Sequence, residues 1–97
     1  MTTTYQVITA DDALNMIARD RDILLIDVRM PDEYSELHIT GALNLPLFDL
    51  LKNIESYAPD LNHTIIAYCE TGRRSRCAAQ ALIYFGYTRV YDAGGIT

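Results

Sequence analysis

Apolar and polar positions along the chain switch repeatedly between a strand-like period and a helical one of about 3.6 residues. Tyr5–Ile8 predicts a short first strand. Thr9 follows as a helix N-cap, with Asp12 as its capping-box partner. Ala10, Ala13, Leu14, Ile17 and Ala18 then recur at helical spacing against Asp11, Asn15 and Arg19. The apolar run Ile23–Val28 predicts a strand buried on both faces of a parallel sheet. Pro31 suits the first turn of a short helix over 31–37, and Ala42–Leu45 reads as a brief strand stopped by Pro46. Leu47, Leu50, Leu51 and Ile54 line one face of a third helix, and Thr64–Tyr68 is another buried strand. A fourth helix is predicted over 73–85, with Ala78, Ala81, Leu82 and Phe85 inward and Gly86 as its C-cap. Thr88–Tyr91 is the last strand, ahead of Ala93-Gly94-Gly95.

Strands alternating with helices imply an α/β fold with a parallel sheet and right-handed crossovers. No repeat, linker or low-complexity stretch interrupts the pattern, so residues 1–97 are expected to form one domain. Ligands of such sheets bind beyond the carboxyl ends of the strands. Cys69 sits at such an end, just after Thr64–Tyr68.

Composition narrows the possibilities. A domain of 97 residues, 49% hydrophobic and 22% charged, can fold without metal or disulfide staples. The longest aliphatic run, Ile23–Ile26, is far too short to span a membrane. The first residues, MTTTYQVITADDALN, show no signal-peptide pattern; a cytoplasmic location is expected, and a periplasmic one if the chain is a mature form. A net charge of −5 argues against nucleic acid, which wants a basic face. That sum hides an asymmetry. Residues 69–76 (CETGRRSR) hold three of the eight basic residues and one acid, an island of positive charge beside a cysteine.

Cys69 and Cys77 make no disulfide framework, there is no CxxC, and His38 and His63 are scattered, so neither a metal nor an organic cofactor is expected. Cys77 is expected to face the core, and both histidines to be structural or solvated. The seven tyrosines are expected as core and half-buried sheet residues.

The segment from Cys69 through Glu70, Thr71, Gly72, Arg73, Arg74 and Ser75 has a direct chemical reading. A loop that opens a helix turns its backbone N–H groups toward a common centre, and the helix dipole adds partial positive charge there. A sulfur at that centre is stabilised as thiolate, below the free cysteine pKa of ~8.5. Gly72 allows the tight curvature, and the arginines add fixed charge for an anionic ligand.

These residues carry a resemblance. Cys69-x-x-Gly72-x-Arg74-Ser75 resembles the active-site loop of the rhodanese-like sulfurtransferases. Leu25-Ile26-Asp27-Val28-Arg29-x-x-x-Glu33-Tyr34 is similar to the family's first signature, and His38-Ile39-x-Gly41-Ala42-x-Asn44-x-Pro46 to its continuation. Gly86-Tyr87 with Ala93-Gly94-Gly95 resembles its closing segment. The resemblance implies a rhodanese-like fold, a five-stranded, mostly parallel sheet flanked by helices on both faces. It also implies a cysteine persulfide intermediate, thiosulfate or another sulfane-sulfur compound as donor, and a thiol or protein cysteine as acceptor. Cys69 would then be the nucleophile and the amides of Glu70 to Ser75 its cradle. Arg74 would be tied to Asp27 and Glu33, which with Arg29 support the loop, and Arg73 would be free to meet substrate.

Two other functions share parts of the pattern. Cysteine-dependent phosphatases and arsenate reductases use Cys-x5-Arg, but that arginine position is Ser75 here. A persulfide carrier or interaction module without turnover would keep the same loop.

Overall fold

The computed structural model describes residues 4–96; Met1–Thr3 and Thr97 of the expected domain lie outside the described residues. The elements in order are β1 (Gln6–Val7), α1 (Ala10–Arg19), β2 (Leu24–Asp27), α2 (Pro31–Glu36), β3 (Leu43–Asn44), a 3-10 turn (Leu47–Asp49), α3 (Leu50–Tyr57), β4 (Ile65–Cys69), α4 (Arg73–Phe85) and β5 (Val90–Gly95). They build a five-stranded sheet in the order β1-β5-β4-β2-β3. Its four strand pairings are all parallel. The chain steps from β2 outward to β3, and from β4 outward in the other direction to β5. The carboxyl ends of β2 and β4 therefore flank the topological switch point, where α/β sheets open a crevice.

Alternation along the central strands divides the core. Ile26 and Val28 of the β2 segment, Ile65, Ala67 and Cys69 of β4 and Val90 of β5 pack under Leu50, Ile54, Ala78, Ala79 and Leu82 of α3 and α4. Leu25, Ile66, Tyr68 and Ala93 point the other way, against Ala13, Met16 and Ile17 of α1. The expected cap on α1 is present, with the Asp12 amide donating to Thr9 Oγ1 at 3.0 Å and the Thr9 amide to Asp12 Oδ2 at 3.3 Å.

Several expectations are corrected. The last strand continues past Tyr91 to Gly95, because its pairing with β4 resumes at Cys69–Gly95 after an irregularity. The buried face of α4 is Ser75, Ala78, Ala79 and Leu82, turned from the face the apolar residues alone suggest. Ser75 sets that phase by facing Cys69, which leaves Phe85 and Cys77 exposed. Leu14 and Leu51 also face outward. Tyr87 is buried, its hydroxyl donating to the Ala58 carbonyl at 2.6 Å, whereas Tyr57 and Tyr84 are exposed. Among the described residues no helix is long and apolar enough to cross a membrane.

Candidate active site

Strand β4 ends on Cys69 itself, and three residues carry the chain into α4. Gly72 makes that short connection possible. Its φ of 93° lies in the left-handed region that a side chain disfavours, and it precedes the first residue of α4. This conformation aims amides at the sulfur. The Gly72 N–H donates to Cys69 Sγ at 3.0 Å and the Ser75 N–H at 3.3 Å. The thiol faces Ser75 Oγ at 3.5 Å, and that hydroxyl donates to the Gly72 carbonyl at 3.2 Å. Burial alone pushes the fully buried Cys69 thiol up. The contact with the Ser75 hydroxyl and hydrogen bonds from the Ser75, Gly72 and Arg74 amides outweigh it and hold the thiol below its ordinary value.

Gly95, the last residue of β5, and Ile96 after it support the loop. The Ile96 amide donates to the Cys69 carbonyl at 3.0 Å. A Cβ on Gly95 would sit 2.9 Å from the carbonyl carbons of Glu70 and Thr71 and closer still to the Glu70 oxygen, so only glycine lets the two segments approach.

Two guanidinium–carboxylate pairs brace the site. Arg74 forks onto Glu33 of α2, with Nη1 to Oε1 at 2.7 Å and Nη2 to Oε2 at 2.9 Å. That fork, aided by the Met30 amide, holds the Glu33 carboxyl far down, at about 2. The second pair corrects the expectation that Arg74 also holds Asp27. The partner of Asp27 is Arg29, whose Nε and Nη2 reach its carboxylate at 2.8–3.1 Å. The chain turns sharply enough after β2 for the Arg29 amide to donate to Asp27 Oδ1 at 2.9 Å, bringing its side chain within reach. Arg29 Nη2 also donates to the Leu37 carbonyl just beyond α2.

Other supports were not singled out as functional in the sequence. Asn44 donates from Nδ2 to the carbonyls of Asp27 and Arg29, both at 3.0 Å, and closes the end of β2. The Tyr68 hydroxyl accepts from the Ile39 amide at 3.0 Å, and burial pushes its phenol up. Asn44 stood inside a quoted motif, but its contacts required the paired strands. His38 stacks on Tyr34 and meets its carbonyl at 2.7 Å, and His63 meets the Asp22 carbonyl; both are structural, as expected. Arg73 and Arg76 are exposed and take no part in the two ion pairs of the described residues.

The arrangement is a buried, hydrogen-bonded sulfur at a sheet's switch point, with amides aimed where negative charge would gather. Known proteins match most of the chain. The model of the rhodanese-like domain matches residues 9–97. The chain is 44% identical over 71 residues to the thiosulfate sulfurtransferase PspE of Escherichia coli, covering 73% of this chain and 68% of that protein. It is 34% identical over 91 residues to the thiosulfate sulfurtransferase GlpE of Coxiella burnetii, covering 94% and 82%. The solved structure of a rhodanese with anions from E. coli superposes with a TM-score of 0.73 at 42% identity, over 76% of this chain and 87% of that one. With strand order, loop and family match in agreement, the chain belongs to the rhodanese-like family.

Proposed function

We propose that the protein is a thiosulfate sulfurtransferase that works through a persulfide on Cys69. The carrying observation is the sulfur's environment: Sγ is buried, yet three amides and one hydroxyl hold it below the ordinary thiol pKa. The Cys69 thiolate attacks the outer sulfur of thiosulfate and forms a new S–S bond. The bond inside thiosulfate breaks, and its electron pair leaves with sulfite. The terminal sulfur then carries the charge, within reach of the loop amides that held the thiolate. An acceptor thiolate, or cyanide in an assay, takes that sulfur, and the electrons of the Cys69 S–S bond return to Sγ. Arg73, exposed at the start of α4, draws the dianionic donor toward the loop. Arg74, occupied by Glu33, positions the loop.

The test is a thiosulfate:cyanide assay of the wild type beside Cys69→Ser and Cys77→Ser. Cys69→Ser should fall to background, and mass spectrometry after thiosulfate should find one added sulfur in the wild type and none in that variant. Cys77 is exposed and makes none of the hydrogen bonds to the Cys69 sulfur, so Cys77→Ser should keep activity and change stability by no more than ~0.5 kcal/mol. Turnover above background in Cys69→Ser would overturn the mechanism.

A further inference from the structure

A cavity of about 330 Å³ lies beside the loop, lined by Arg29, Glu33, Glu36, Leu37, Glu70 and Ile96. It adjoins the backbone of Cys69, whose side chain is not part of the lining: Glu70 follows Cys69 in the chain, and Ile96 is hydrogen-bonded to the Cys69 carbonyl. Its charge is opposite to that of the loop's basic island. Arg29, its one basic residue, is committed to Asp27, and Glu33 is committed to Arg74. The exposed Glu36 belongs to neither of the ion pairs of the described residues. Arg73, Arg74 and Arg76 are not among the lining residues.

A dianionic donor and its sulfite product gain nothing from such a wall. Given the reading of the site under Proposed function, we infer that this cavity receives the sulfur acceptor, and that Glu36 makes it favour thiols carrying a positive charge near the sulfur over anionic ones. Leu37 and Ile96 offer apolar contact to the acceptor's carbon stem. In the step itself the acceptor thiolate forms a bond to the terminal persulfide sulfur. The bond from that sulfur to Cys69 breaks, and its electron pair returns to Sγ as thiolate. The product is the acceptor's own persulfide anion, so one negative charge enters and one remains on each partner. Glu36 acts on the approach of the acceptor and takes no part in the bond exchange.

Protein loaded from thiosulfate and freed of excess donor is mixed, at equal thiolate concentration and low salt, with cysteamine, 2-mercaptoethanol or 3-mercaptopropionate. Loss of the added sulfur is followed by mass spectrometry. The cysteamine rate should exceed that of 3-mercaptopropionate by about tenfold, with 2-mercaptoethanol between. Cysteamine is the least basic thiolate of the three, so intrinsic nucleophilicity works against this order. Glu36→Lys should narrow the ratio by about fivefold and Glu36→Gln by less, and added salt should narrow it in the wild type. Rates that follow thiolate basicity alone, or a ratio that Glu36→Lys leaves unmoved, overturn the inference. Failure to load from thiosulfate would overturn the donor assignment separately; loading with polysulfide then lets the same three thiols decide.

Discussion

Two arginine–carboxylate pairs brace the site, similar in hydrogen-bond length and different in surroundings. In Asp27–Arg29 the side chains are 0% and 8% exposed; in Glu33–Arg74 they are 27% and 34% exposed. The first lies within one turn of chain after β2 and locks it to the carbonyl beyond α2. The second spans 41 positions of sequence and joins α2 to the first turn of α4, next to the sulfur. Burial makes a pair costly to break, because the surviving charge is left without water or counter-charge. Solvent makes a pair weak, and leaves its geometry as its main contribution. The comparison therefore assigns stability of the fold to Asp27–Arg29 and positioning of the loop to Glu33–Arg74.

The sharpest way to break this assignment is Asp27→Ala. It strands the Arg29 guanidinium in a site that is 7% exposed for the whole residue, and should cost about 3–5 kcal/mol in urea unfolding. For a domain of this size each kcal/mol moves Tm by about 4–8 °C, so the variant should be largely unfolded at 37 °C or close to it. A loss below about 1 kcal/mol would mean that Arg29 reaches solvent freely, and the distinction between the pairs would fall.

The next effect is on function more than stability. Arg74→Ala should lower stability by only about 1 kcal/mol while reducing sulfur transfer by about tenfold, since the loop loses its tether to α2. Arg74→Lys keeps the charge but not the two-pronged fork, and should recover only part of the rate. Kinetics and urea unfolding on the same preparations check both. An inactive Arg74→Ala variant whose Cys69 still takes up sulfur at the wild-type rate would move the role of Arg74 to the acceptor step.

Much of this architecture was legible in the sequence. The apolar runs in β2 and β4 and the Thr9–Asp12 cap each rest on neighbours a few residues away, where local pattern carries the information. Cys69, Gly72 and Ser75 were legible for the same reason: the loop folds on itself. What the pattern could not show depends on side-chain direction. The family resemblance implies that Arg74 holds Asp27, and only the turn after β2 decides that Arg29 takes it. Cys77 looked like a core residue because a free cysteine behaves as a small apolar side chain, and apolar residues alone set the expected phase of α4. A polar residue, Ser75, fixes the phase instead by turning its amide and hydroxyl to the sulfur. The run of β5 to Gly95 was hidden by its glycines, which are poor strand formers: Gly95 is kept there by close approach to the loop, and Gly94 by its φ of 72°.

The smallest expected effect is the pH dependence of the Glu33–Arg74 pair. Glu33 has its folded-state carboxyl held at about 2, below the unfolded value of ~4.3, by Arg74 first and the Met30 amide second. A carboxyl lowered in the folded state contributes stability that is fully present above its unfolded pKa. That contribution is lost as pH falls from about 4.5 toward about 2, where both states become protonated. Because both side chains are a quarter to a third exposed, the contribution at neutral pH should be no more than about 1 kcal/mol and should shrink in high salt. Urea unfolding of the wild type and Glu33→Gln across that range should give curves separated near neutrality that converge in acid, with the gap at neutrality reduced by salt. A gap that persists to the lowest pH, or that salt does not touch, would mean that Glu33 contributes through packing or the Met30 hydrogen bond. The loop would then be positioned by shape, with the charge of the fork incidental to it.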